Sequence, residues 1–140
     1  MKLAKSMSVC ALAAVLVAGC AGMTGPSDEE MIQSTVEQLK VALEEQDLDM
    51  LMETFSEDFE HPEVGGKEDA RYMLEMGLDS GYAEGGEVSV EDMEIEFLDD
   101  GSASVYPIDL SSYAGSVAVE LIMQKDDDAW LIRTLEVDGI

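Results

Sequence analysis

The chain has 140 residues, of which 32 are acidic and seven basic, for a formal net charge of −25. A surface of that sign repels a phosphate backbone, which excludes nucleic acid as a partner. Hydrophobic residues make up 46% of the chain and are interleaved with the acids, so the composition is that of a folded acidic domain and not of a disordered tail.

Lys2 and Lys5 open the chain with positive charge, residues 9–18 are almost wholly apolar, and Val17-Ala18-Gly19-Cys20 ends the segment on small side chains. That order is the order of an export signal. The apolar run falls short of the ~20 residues that a spanning helix needs. The exit, Leu16-Val17-Ala18-Gly19-Cys20, resembles the bacterial lipobox. The resemblance implies cleavage before Cys20, a diacylglyceryl group on its thiol, and usually acylation of the new amine, by palmitate for example. A cysteine is required because its sulfur is the nucleophile that accepts the lipid. More than one acyl chain is what stable anchoring requires.

Residues 1–19 are thus expected to be the signal, 20–27 a lipidated tether and 28–140 the folded domain. The other cysteine, Cys10, leaves with the signal, so the mature chain has no internal disulfide and rests on its own core. The signal carries two of the seven basic residues and none of the 32 acidic ones, so the mature charge is −27. The expected location is the cell envelope, with the chain exported and lipid-anchored. Ala21 is not an aspartate; by resemblance to the sorting rule of Gram-negative lipoproteins, that favours the outer membrane, facing the periplasm.

Ser27-Asp28-Glu29-Glu30 has the form of a capping box. Ile32, Val36, Leu39 and Leu43 follow at helical spacing, which predicts an amphipathic helix over about residues 28–46. Asp47 can cap a second, short helix with Leu48, Leu51, Met52 and Phe55 on its apolar side. A short strand is expected near His61-Pro62, and Gly65-Gly66 reads as a break. Residues 67–79 read as a third helix with Ala70, Met73, Leu74 and Leu78 inward. From Val88 the period changes to alternation. Strands are expected over 93–97, 103–110, 117–123 and 130–137, with turns at Asp99-Asp100-Gly101, Ala114-Gly115-Ser116 and Asp126-Asp127-Asp128. Pro107 marks a bulge or an edge. The expected class is α+β: N-terminal helices packed on one face of a four-stranded antiparallel meander.

Several of these segments, in this order, are similar to the nuclear transport factor 2-like superfamily and its SnoaL-like branch. They are the first helix, Asp47-Leu48-Asp49-Met50-Leu51-Met52 running into Phe55-Ser56-Glu57-Asp58-Phe59, Gly66-Lys67-Glu68-Asp69-Ala70 opening the third helix, and the terminal Trp130-Leu131-Ile132 strand. The resemblance spans about residues 28–138. It implies a curved sheet wrapped around helices, a cone with a pocket at its open end. The superfamily includes isomerases, dehydratases and polyketide cyclases as well as non-enzymatic binding and dimerising domains, so fold alone does not choose a function. Open sheets in it often pair, which makes a homodimer a further expectation.

An enzyme of this type needs a positioned acid or base and a donor for a developing oxyanion. The candidates for the pocket are His61, the only histidine, together with Tyr72, Asp109 and Trp130. Asp109 stands between Ile108 and Leu110 and is expected to face inward if they face outward. These residues form no recognisable catalytic constellation. No metal or cofactor is expected: the methionines, including Met50, Met52, Met73 and Met76, are accounted for by core packing, and the Asp runs sit at turns without calcium-loop spacing. The leading expectation is a non-enzymatic domain that binds a small apolar molecule or an envelope protein. The alternative is a small isomerase or dehydratase of the SnoaL-like type.

Overall fold

The computed structural model describes residues 25–139. The expected signal, Cys20 and most of the expected tether lie outside the described residues.

Capping and spacing set the helices. The Ser27 hydroxyl accepts from the Glu30 N–H at 3.1 Å and opens α1 (Asp28–Glu45). Ile32, Val36, Leu39 and Ala42 recur every three or four residues and are buried, so one face of α1 enters the core. Gln46 closes the helix in the left-handed region, with φ 57°. The Asp47 carboxylate accepts from the Met50 N–H at 3.1 Å and starts α2 (Leu48–Met52). Next comes a small hairpin of β1 (Glu60–His61) and β2 (Gly65–Gly66). The Gly65-Gly66 pair therefore does more than break the chain, because it forms the second arm of that hairpin. α3 (Lys67–Asp79) follows directly, its first turn held by the Asp69 carboxylate, which accepts from the Gly66 N–H.

Five strands make the main antiparallel sheet: β3 (Glu87–Ser89), β4 (Glu94–Phe97), β5 (Ala103–Ser112), β6 (Gly115–Asp126) and β7 (Ala129–Asp138). The sequence predicts four strands here; the fifth is β3. Both β3 and β4 pair with the same edge of β5, β4 along residues 103–106 and β3 along residues 109–111. The gap between them contains Pro107, which has no N–H to donate to a partner. The pairing of β5 with β6 also shifts register between Val105 and Ile108, so the bulge expected at Pro107 is present. A second bulge lies opposite Ile122/Met123, in β7. Bulges bend a sheet, and here the sheet curves around the helices.

The core lies between α1 and the inner face of the sheet. Val105, Ile108, Leu121, Met123 and Ile132 are fully buried against Ile32, Val36 and Leu51. Among the described residues, the buried core residues fall between Ile32 and Ile132. The loop after α2 is stitched to β7: Ser56 N–H donates to Ile132 O at 2.9 Å, and Ile132 N–H donates to Thr54 O at 2.8 Å. Helices packed on one face of a curved antiparallel sheet are the α+β architecture that the sequence predicts.

Candidate functional site

A cavity of about 540 Å³ opens at one end of the cone. Its walls come from four places. Leu43 projects from the last turn of α1, and Met73, Leu74, Gly77 and Leu78 form one stretch of α3. The loop after α3 adds Tyr82, Ala83 and Gly86, leading into Val88 of β3. The β5–β6 hairpin contributes Leu110, Val117 and the residues between them other than Tyr113, with Gly139 beside it. Most of this lining is apolar. The polar groups are the Tyr82 phenol, Glu87 and the serines 111, 112 and 116; Glu87 is the one charged residue among the described residues that line the cavity.

Two glycines lie in or beside the cavity wall. Gly77 sits inside α3, and a Cβ built there meets nothing within 4 Å. Its missing side chain leaves open space beside the cavity, not a close backbone approach. Gly85 has φ +71°, and a Cβ there would fall 2.6 Å from the Tyr113 ring. The positive φ favours glycine at that point, and a side chain there would also have to displace the exposed Tyr113 ring. Tyr113 N–H donates to Glu84 O at 3.1 Å, which ties this loop to the β5–β6 hairpin. On the other side, the Glu44 carboxylate accepts from the Val88 N–H at 3.0 Å and joins α1 to β3. That backbone donor holds the Glu44 carboxyl below its usual range.

None of the four residues expected to line the pocket does so. His61 is half-buried in β1, and its Nδ1 accepts from the Glu63 N–H at 3.1 Å. Tyr72 is 65% exposed on α3. Asp109 is exposed, while Ile108 is buried and Leu110 packs against the core. The expected facing is reversed because the bulge at Tyr106-Pro107 places Val105 and Ile108, three positions apart, both inward. Trp130 is buried at the far end of the sheet, where its ring meets Phe97 edge-on at 5.9 Å and its Nε1–H donates to Asp28 Oδ1 at 3.1 Å. The four are not brought together. Among the described residues, no group of three or more His, Cys, Asp or Glu side chains is arranged to hold a metal.

The opposite face of the sheet is acidic. Glu120 of β6 stands directly across from Glu136 of β7. The Tyr106 hydroxyl donates to Asp138 Oδ2 at 3.2 Å, and that carboxylate pushes the phenol up from its ordinary value.

The sequence matches no protein-family model and no curated protein. Solved structures do match in shape. One is a protein of unknown function with a cystatin-like fold from Nostoc punctiforme, at TM-score 0.64 and 18% identity over 79% of this chain and 89% of that one. Another is an uncharacterised cystatin-like protein from Caulobacter vibrioides, at TM-score 0.66 and 12% identity over 81% and 89%. A third is a nuclear transport factor 2-like protein of unknown function from Shewanella oneidensis, at TM-score 0.63 and 17% identity over 81% of this chain and all of that one. At such identities the likeness is one of fold, and the chain has the cystatin-like, nuclear transport factor 2-like fold.

Proposed function

We propose that this chain is exported, anchored through a lipid on Cys20, and presents a cone that binds a small apolar molecule without transforming it. The observation that carries the binding reading is the apolar cavity, whose volume lies in the range of roughly 300–1,000 Å³ of small-molecule sites. The anchor rests on the charged start, the short apolar run and the lipobox-like exit at Cys20. No helix among the described residues is long and apolar enough to cross a membrane. The tether would enter at the start of α1, whereas the cavity lies by its last turn. At 1.5 Å per residue those points are roughly 22 Å apart.

An isomerase or dehydratase would need an acid–base pair on the cavity wall. His61 and Asp109, on which that reading depends, lie elsewhere, and the two ionisable groups that do line the cavity, Tyr82 and Glu87, are both exposed. A homodimer through the outer sheet face would bring two acidic surfaces together, since Glu120 and Glu136 already oppose each other within one copy.

The anchor is tested by the mass of the mature N-terminus. An acylated Cys20 is expected, with Cys20→Ser accumulating as uncleaved precursor; an unmodified chain cut elsewhere would remove the proposal. Binding is tested with the neutral fluorophore N-phenylnaphthylamine. Saturable enhancement that is lost in Gly77→Leu is expected, and enhancement unaffected by that substitution would place binding outside the cavity.

A further inference from the structure

We infer that the cavity selects amphiphiles with a cationic head over neutral ones, and rejects those with an anionic head. The inference rests on the cavity reading above and adds the charge of its ligand.

The described residues include five basic side chains, and every one is paired. Lys40 bonds Glu44, Lys67 bonds Glu57, Arg71 bonds Asp49 and Lys125 bonds Asp28, while Arg133 lies 4.0 Å from Asp100. None of the five lines the cavity. A carboxylate entering it would find no cation to receive its charge. It would meet Glu87, the one charged residue of the described lining, in a chain whose formal net charge is −25. Apolar walls of low dielectric focus such a one-signed field into the opening. A cationic head gains from that field. It also finds aromatic faces, because Tyr82 lines the cavity and is 66% exposed, and Tyr113 covers Gly85 at the end of the adjoining loop. Phenol rings attract ammonium groups through their faces. The hydrocarbon tail would occupy the apolar part between Leu43, Leu74, Val88, Leu110 and Val117.

The test holds the tail constant and changes the head. Dodecyltrimethylammonium, dodecanol and dodecanoate are titrated below their micelle-forming concentrations into the unlipidated Cys20→Ser mature chain, which retains all of the core. The trimethylammonium compound is expected to bind at least tenfold more tightly than dodecanoate at low salt, with dodecanol between them. The spread should shrink at high salt as the field is screened. Glu87→Gln should narrow the gap between cation and alcohol while leaving dodecanol unchanged, and Gly77→Leu should weaken the cation and the alcohol together. Dodecanoate binding as tightly as the cation would overturn the inference. So would cation binding that survives Gly77→Leu, which would mark simple attraction to the acidic surface. If dodecanol fails to bind at all, the cavity reading itself fails, and the two failures are thus told apart.

Discussion

The two ends of α1 lie in opposite kinds of surroundings. At Asp28, the end from which the tether would leave, side chains are locked by hydrogen bonds. Asp28 accepts from Lys125 and Trp130, and Thr35 donates to Trp130 O at 2.7 Å. Ser56 donates to Asp126 at 2.7 Å and accepts from Gln124 and from the Asp58 N–H. At Leu43, the other end, the neighbours are half-buried apolar side chains, a glycine-rich loop and a cavity. A domain that keeps empty apolar space forfeits packing there, and the order lost at the cavity end is matched by bonding at the other. Stability and ligand space are thus separated along one helix.

Substitutions at the two ends should separate in the same way. The largest expected effect is at Ile132, fully buried where β7 meets the loop after α2. Ile132→Ala should lower unfolding stability by about 2–5 kcal/mol, read by urea denaturation. Leu110→Ala on the cavity wall should cost clearly less, because the residue is only partly buried and already borders a void. Equal losses would mean that the cavity end is as tightly packed as the sheet centre. Next in size is Ser56→Ala. The hydroxyl is buried and serves three partners, so its loss should cost about 1–3 kcal/mol through the groups left unpaired.

The bonded end was more legible in the sequence than the open one. Ser27 through Glu30 announces α1, and the Ser27 cap is found there. Alternation in residues 93–97 identifies β4. β3 has only three residues and no period of its own; it exists because the edge of β5 beyond Pro107 needs a partner. The pocket expected at the open end of the cone is present, but its lining is not legible for a related reason. Leu43, Leu74, Leu110 and Val117 read as ordinary core, and a gap between elements has no signature in any one of them. His61 and Asp109 stand out by residue type, and type does not fix position: a single bulge decides which way Asp109 faces. The signal that could have found the site is Gly77 inside a helical pattern, followed closely by Gly81, Gly85 and Gly86.

Gly77 also yields the third prediction, an effect of opposite sign. Glycine in a helix interior costs about 0.5–1 kcal/mol relative to alanine, and no atom obstructs a Cβ at this position. Gly77→Ala should therefore stabilise the fold by up to about that amount while reducing uptake of N-phenylnaphthylamine. A gain in stability with a loss in binding would show that this glycine is kept for the space it leaves. A gain with no loss would mean that the added methyl does not reach the ligand.

The smallest expected effect belongs to Asp28 and depends on pH. Its carboxylate accepts from Lys125 Nζ at 2.9 Å and from the Trp130 indole at 3.1 Å. The Lys125 bond first, and the indole bond second, hold its carboxyl below the ordinary aspartate value of 3.8. A group depressed by folding contributes stability that is fully present above its unfolded value and is lost as pH falls through the folded one. Acidification also neutralises many of the 32 acidic residues and relieves their mutual repulsion, so the stability of the protein alone mixes two opposed trends. The difference between the protein and Asp28→Asn removes the shared one. That difference should be constant from neutral pH down to about pH 5, where aspartate in the unfolded chain begins to take up protons, and should close progressively below it. A difference that stays open under acid would show that Asp28 acts through its shape and not its charge. The order at the tether end would then owe nothing to the ion pair with Lys125.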